Sequence, residues 1–130
     1  MRLLLDTQIL LWTAGDSARL PNQTRTVLEA PENLLYFSAV NLWEVVIKLG
    51  LGRKDFQVDA HALRRGLLDN GYRELPINSR HTLMVQNLPR IHKDPFDRIL
   101  IAQAMVEGLT LMTTDDFIVQ YPVATHQVSA

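Results

Sequence analysis

Cysteine is absent from the chain, which excludes disulfide staples and thiolate metal sites. Any metal must therefore be held by oxygen or by histidine nitrogen, and the lack of disulfides fits a reducing cytosol. No apolar run approaches the roughly 18 residues that a membrane span needs, so no membrane role is expected. Neither sign of charge dominates: 13 Lys and Arg stand against 14 Asp and Glu, for a formal net charge of −1. That balance argues against a general nucleic-acid binder, which is usually basic. It leaves room for an enzyme whose acids gather at a metal while basic residues line the rim. Repeats, low-complexity tracts and linkers are missing as well.

What is there is an ordinary globular composition, 47% apolar and 21% charged over 130 residues. Such a length makes a single domain, 1–130, with a core of its own. The opening Met1-Arg2-Leu3-Leu4-Leu5-Asp6 reads as a strand meeting an acid. It does not read as a signal peptide, because a carboxylate ends the apolar run, and the chain is expected in the cytoplasm. Short apolar runs alternate with helical patterns, the mark of βαβ units and a parallel sheet of four to five strands. Strands are expected over 2–5, 34–37, 72–76 and 109–112, with an edge strand at 123–125. Helices are expected over 7–14, 21–30, 38–50, 59–70, 79–88 and 94–107, with a short helical turn at 115–119. Ser38 and Asp94 are placed to cap their helices, Pro95 suits a first turn, and Gly108 suits a helix stop.

Parallel α/β sheets bind ligands at the carboxyl ends of their strands, where the N-termini of the following helices also lie. The rule sorts the acids. Asp6 ends the first strand, and Thr113 and Asp115 end the fourth. Asp97 lies in the first turn of its helix, and Glu44 in the second turn of the helix begun at Ser38. All fall on one edge. Each has a plainer reading: Asp6 as a strand end, Asp97 as a partner of the helix dipole, and Asp115 or Asp116 as a turn cap. The helix from Ser38 to Leu49 is so apolar that burial on most sides is expected. Its polar stripe, Asn41, Glu44 and Lys48, is either a solvent face with an i,i+4 ion pair or the wall of a polar cleft. Carboxylates crowded together raise each other's pKa values. A hard divalent cation such as Mg²⁺ or Mn²⁺ resolves that conflict and can activate water beside a phosphate. The histidines His61, His81, His92 and His126 show no ligand spacing, and most are expected at the surface. Ile9, Leu10, Trp12 and Trp43 are expected in the core, the alternative being a dimer seam or a partner groove.

Four ordered blocks carry a family resemblance. They are Leu3-Leu4-Leu5-Asp6-Thr7-Gln8-Ile9-Leu10-Leu11-Trp12, Ser38-Ala39-Val40-Asn41-Leu42-Trp43-Glu44-Val45-Val46-Ile47-Lys48, His92-Lys93-Asp94-Pro95-Phe96-Asp97-Arg98-Ile99-Leu100-Ile101-Ala102-Gln103-Ala104 and Leu111-Met112-Thr113-Thr114-Asp115. Together they resemble the PIN-domain toxins of the VapC type over nearly the whole chain. Gln8 stands where many relatives have histidine, a departure that touches no acid. The resemblance implies a three-layer α/β/α fold with a central parallel sheet. It also implies a ribonuclease using Mg²⁺ or Mn²⁺, often a homodimer, held inactive by a cognate antitoxin. It carries the metal-binding acids onto Asp6, Glu44, Asp97 and Asp115 and a helper hydroxyl onto Thr113. Asp116 competes with Asp115 as the fourth acid. Lys48, Arg53, Lys54, Lys93 and Arg98 are candidates for contacts to the RNA backbone, their alternative being an ordinary salt-bridged surface.

Other classes lack their marks. A receiver domain needs an acceptor Asp after the third strand, where Leu75-Pro76-Ile77 stands. A dinucleotide-binding turn needs G-x-G-x-x-G after the first strand, where Asp6-Thr7-Gln8 stands. A two-aspartate phosphatase would want Asp in place of Gln8. Two alternatives remain: a PIN-like module that binds RNA or protein without cutting, and a structure-specific DNA nuclease. Retention of all four acids argues against the first.

Overall fold

A computed structural model of the protein describes residues 1–52 and 57–129. The chain runs β1 (Arg2–Leu5), α1 (Thr7–Ala14), α2 (Asn22–Glu29), β2 (Leu34–Ser38), α3 (Ala39–Gly50), α4 (Ala60–Asp69), β3 (Arg73–Leu75), α5 (Ser79–Met84), α6 (Pro95–Glu107), β4 (Thr110–Thr113) and β5 (Thr125–Gln127). The five strands form one sheet in the order β3-β2-β1-β4-β5, and every pairing is parallel. β1 is therefore central, which explains its unbroken apolar run: a strand buried on both faces needs no polar alternation.

The leucines of β1 divide between two cores because successive strand side chains point to opposite faces. Leu3 and Leu5, with Phe37 and Met112, pack against Ile9 and Leu10 of α1, Leu28 of α2, and Leu63 and Leu67 of α4. Leu4 and Leu111 pack against Leu100, Ile101 and Ala104 of α6, with Leu88, Ile118 and Tyr121. α3 contributes Val40 to the second core and Val45 to the first. The result is the expected three-layer α/β/α arrangement.

Several local expectations change. The outer face of α3 is not buried: Trp43, Val46, Ile47 and Leu49 are all exposed. With both sheet faces already covered by other helices, α3 needs only Val40, Asn41, Glu44 and Val45 to seat itself. Trp43 accordingly leaves the core and lies edge-on to Phe96, ring centroids 4.9 Å apart. The edge strand starts two residues later than expected, at Thr125. The Val123 N–H folds back onto the Tyr121 carbonyl at 2.8 Å, and Pro122 has no N–H to offer a ladder. The expected helix over 79–88 leaves α geometry after Met84 and ends in a 3₁₀ turn, Val85–Asn87. The helical turn expected at 115–119 becomes a 3₁₀ turn, Ile118–Gln120, because Asp115 Oδ1 takes the Phe117 N–H at 2.7 Å.

Histidine also departs from expectation. His81 is wholly buried. Its Nδ1 accepts the Asn78 N–H in a capping box, and its Nε2 lies 2.8 Å from Glu107 Oε2. With both ring nitrogens partnered, a histidine can be buried at little cost.

Candidate active site

Asp6 and Asp115 follow the ends of β1 and β4, and Glu44 and Asp97 come from the first two turns of α3 and α6. Asp6 follows β1 and caps α1, its Oδ1 accepting the Ile9 N–H at 2.9 Å. Its Oδ2 accepts the Thr113 hydroxyl, the end of the neighbouring strand β4, at 2.6 Å. Thr113 is wholly buried, and its oxygen accepts the Asp115 N–H at 3.0 Å. One hydroxyl thus ties the first acid to the backbone of the fourth. This follows from the pairing of β1 with β4, with Leu5 opposite Met112.

Glu44 reaches the same edge from α3. The Thr7 hydroxyl donates to its Oε1 at 2.7 Å, and Asn41 Nδ2 donates in turn to Thr7 Oγ1 at 2.9 Å. Asn41 also accepts the Ser38 N–H in a capping box, so one amide fixes both the start of α3 and the hydroxyl that steers Glu44. Ser38 and Gln103 anchor this region further, through a 2.6 Å hydrogen bond between buried side chains. Lys48 Nζ lies 2.7 Å from Glu44 Oε2. The polar stripe of α3 thus carries the i,i+4 ion pair, with Glu44 buried and Lys48 exposed.

Asp97 comes from the first turn of α6, which Asp94 caps by accepting the Phe96 and Asp97 N–H groups. Its Oδ2 lies 2.9 Å from His92 Nε2, and Asp115 Oδ2 lies 3.0 Å from the same nitrogen. His92, Asp97 and Asp115 offer donor atoms all within 4.8 Å of one another. Asp116 turns away to accept the Gln127 amide at 2.7 Å, so Asp115 is the one of the pair that meets the other acids.

The electrostatics follow from this crowding. Burial raises the Asp6 carboxyl above its ordinary value, and nearby Glu44 adds to the rise. Hydrogen bonds from Thr113 and from the backbone at Ile9 and Thr114 oppose it. Asp97 is pushed up to about 7, first by burial and then by Asp94, with Glu44 and Asp115 adding and His92 opposing. Buried carboxylates with raised pKa values, aimed at one place, call for a compensating cation. Oxygen donors of this kind suit a hard divalent ion, and the imidazole beside them does not spoil that fit.

The basic candidates do not gather in the same way. Lys93 is exposed beside the site. Arg98 directs its guanidinium to the carbonyls of Pro89, His92 and Val85 and to the Tyr121 hydroxyl. Arg53 and Lys54 lie outside the described residues. The residues that sequence reasoning missed are Thr7, Asn41 in its steering role, and His92. Thr7 stood beside Asp6, and Asn41 stood three residues before Glu44, but neither spacing distinguishes a site from a cap. A large cavity lined by Leu11, Leu28, Leu63, Leu67 and Tyr72 touches none of Asp6, Glu44, Asp97 and Asp115.

A family model described as PIN domain matches residues 3–123. Solved structures share the fold at low identity. VapBC2 from Rickettsia felis, bound to a DNA fragment from its promoter, aligns with TM-score 0.74 and 16% identity, covering 99% of this chain and all of that one. FitAcB from Neisseria gonorrhoeae aligns with TM-score 0.67 and 18% identity, covering 96% of each chain. VapC20 from Mycobacterium tuberculosis, a sarcin–ricin loop cleaving toxin, aligns with TM-score 0.61 and 16% identity, covering 97% of this chain and 99% of that one. A search of curated proteins finds no match.

Proposed function

The chain belongs to the PIN-domain family, and from that premise we propose that it is a metal-dependent endoribonuclease, the toxin of a toxin–antitoxin pair. The observation that carries the reading is the arrangement of acids at one sheet edge: Asp97 and Asp115 lie together at His92, Thr113 ties Asp6 to the Asp115 backbone, and Glu44 adds to the raised pKa values of both Asp6 and Asp97. VapBC and FitAB structures among its neighbours support an antitoxin partner, and a ribosomal-loop-cleaving toxin supports RNA as the substrate.

Asp6, Glu44, Asp97 and Asp115 would hold a Mg²⁺ or Mn²⁺ ion, directly or through water. When bound, such an ion supplies Lewis acidity, lowering the pKa of a water and offsetting charge at the phosphate. The chain's own residues set the geometry. Thr113 holds Asp6 Oδ2 and the Asp115 backbone in one register. Thr7 and Asn41 aim Glu44, and Lys48 balances part of its charge. Lys93, exposed beside the acids, is placed to meet a phosphate of the RNA backbone. The outer face of α3, with Trp43, Val46 and Ile47 exposed at i, i+3 and i+4 spacing, is the surface we assign to a second copy in a homodimer.

The test is cleavage of a mixed RNA pool by purified protein with Mg²⁺, Mn²⁺ or chelator, wild type beside Asp6→Asn. Asparagine keeps an acceptor for the Ile9 N–H, so the variant is expected to fold. It is also expected to lose cutting by at least about a hundredfold. A folded, metal-supplied wild type that cuts no RNA would sink the proposal, and preferential cutting of flap DNA would replace it with the DNA-nuclease reading.

A further inference from the structure

The loop before α6 holds a histidine in a more elaborate seat than a surface residue requires. The His92 N–H donates to Tyr121 Oη at 2.7 Å, and Ile91 donates to the same oxygen at 3.2 Å. Arg98 Nη1 reaches the His92 carbonyl, the Pro89 carbonyl and Tyr121 Oη, while its Nη2 takes the Val85 carbonyl. The ring leans on Phe117, centroids 5.6 Å apart. Backbone and ring of this loop residue are thereby both held, and the ring edge faces Asp97 and Asp115.

We propose that His92 is a positioning residue of the acid site: as an Nε2–H imidazole it donates to Asp97 and Asp115 together and holds the two carboxylates in register. The inference rests on the metallonuclease reading above. It turns on the ring's other nitrogen. Nδ1 accepts the Asp94 N–H at 3.2 Å, and a ring nitrogen that accepts carries no proton. The proton is therefore on Nε2, between two carboxylate oxygens at 2.9 and 3.0 Å. For Nε2 to ligate a metal, the proton would have to move to Nδ1, where it would face the Asp94 donor. The seat thus favours a histidine that holds the acids over one that holds the ion. Asp94 links the parts, since its N–H sets the tautomer and its side chain caps the helix that carries Asp97. Outer partners of this kind are worth tenfold to a hundredfold in metal affinity.

The test is Mn²⁺ affinity by EPR titration in wild type, His92→Ala and His92→Gln. A tenfold or greater loss in the alanine variant is expected, largely restored by glutamine, whose amide can donate from nearly the same place. Wild-type affinity in a folded His92→Ala variant would overturn the inference and leave the nuclease reading intact. A wild type that binds neither Mn²⁺ nor Mg²⁺ would instead overturn the metallonuclease reading. Because the alanine variant could fail to fold, the tautomer is also read on wild-type protein by ¹⁵N NMR of labelled histidine. A proton on Nε2 with and without Mg²⁺ is the expected result; a proton on Nδ1 in the Mg²⁺-loaded protein would make His92 a ligand and end the proposal.

Discussion

Asp97 ionises against its own burial and against Asp94, Glu44 and Asp115, and these hold its pKa at about 7. An acid raised in the folded chain favours folding while it is protonated. That contribution is complete below the ordinary value of 3.8 and is lost as pH rises through about 7. The metal-free protein is therefore expected to lose thermal stability across that window, as melting curves at stepped pH would show. A divalent ion should restore it, because the ion binds only the ionised cluster. Ion binding must also expel the Asp97 proton, so Mn²⁺ affinity is expected to fall about tenfold per unit as pH drops below about 7. An affinity that stays level over that range would contradict the shift. Thr113 offers a second test at this scale. Thr113→Val keeps the shape but removes the donor to Asp6 and the acceptor for the Asp115 N–H. Mn²⁺ binding in that variant should weaken by about tenfold or more, with stability down by about 1–3 kcal/mol for the buried Asp6 oxygen left without its donor.

Helix α6 shows what an element adds to its residues. Asp94 caps it and at the same time raises Asp97, and two substitutions separate the roles. Asp94→Ala removes the cap and should cost about 1 kcal/mol. Asp94→Asn keeps a capping oxygen and removes the charge, so stability should hold while the pH dependence of Mn²⁺ affinity moves to lower pH. If both variants shift that dependence equally and neither loses stability, the capping role is wrong. Much of this element was legible in advance. Asp94-Pro95 reads as a helix start, and Gly108 reads as its stop, where the backbone is left-handed at φ 67°, a conformation that costs other residues energy. The strand-end rule also brought Asp6, Thr113 and Asp115 to one edge. His92 was not legible, because its partners are distributed by the fold: Asp115 lies 23 positions away and Tyr121 lies 29. Helical periodicity flags neighbours at three and four, and neither contact has that spacing. The exposure of α3 escaped for a similar reason. An apolar helix reads as buried until it is known that other helices already cover the sheet.

At the scale of the whole molecule, that exposed face is the feature the monomer leaves unexplained. The two cores are closed on both sides of a central β1, and α3 seats itself through Val40, Asn41, Glu44 and Val45. What remains outward, Trp43 with Val46 and Ile47, forms one helical stripe on the helix that supplies Glu44. Contiguous apolar surface of this kind usually marks an interface, and a closed homodimer would bury it against its own copy. A specific interface needs roughly 800 Å² per partner, more than one stripe, so neighbouring exposed groups such as Leu51 would have to join it. The prediction is that wild type sediments as a dimer and that Ile47→Asp dissociates it by at least about tenfold, because a charge placed in the seam loses its solvation without gaining a partner. The change is read as mass in solution, by sedimentation of the variant beside wild type at matched concentration. A wild type that is monomeric at high concentration would free the stripe for the antitoxin, and Ile47→Asp would then weaken that complex instead. A dimer indifferent to the substitution would place the seam on another face, and the apolar stripe of α3 would lose its explanation.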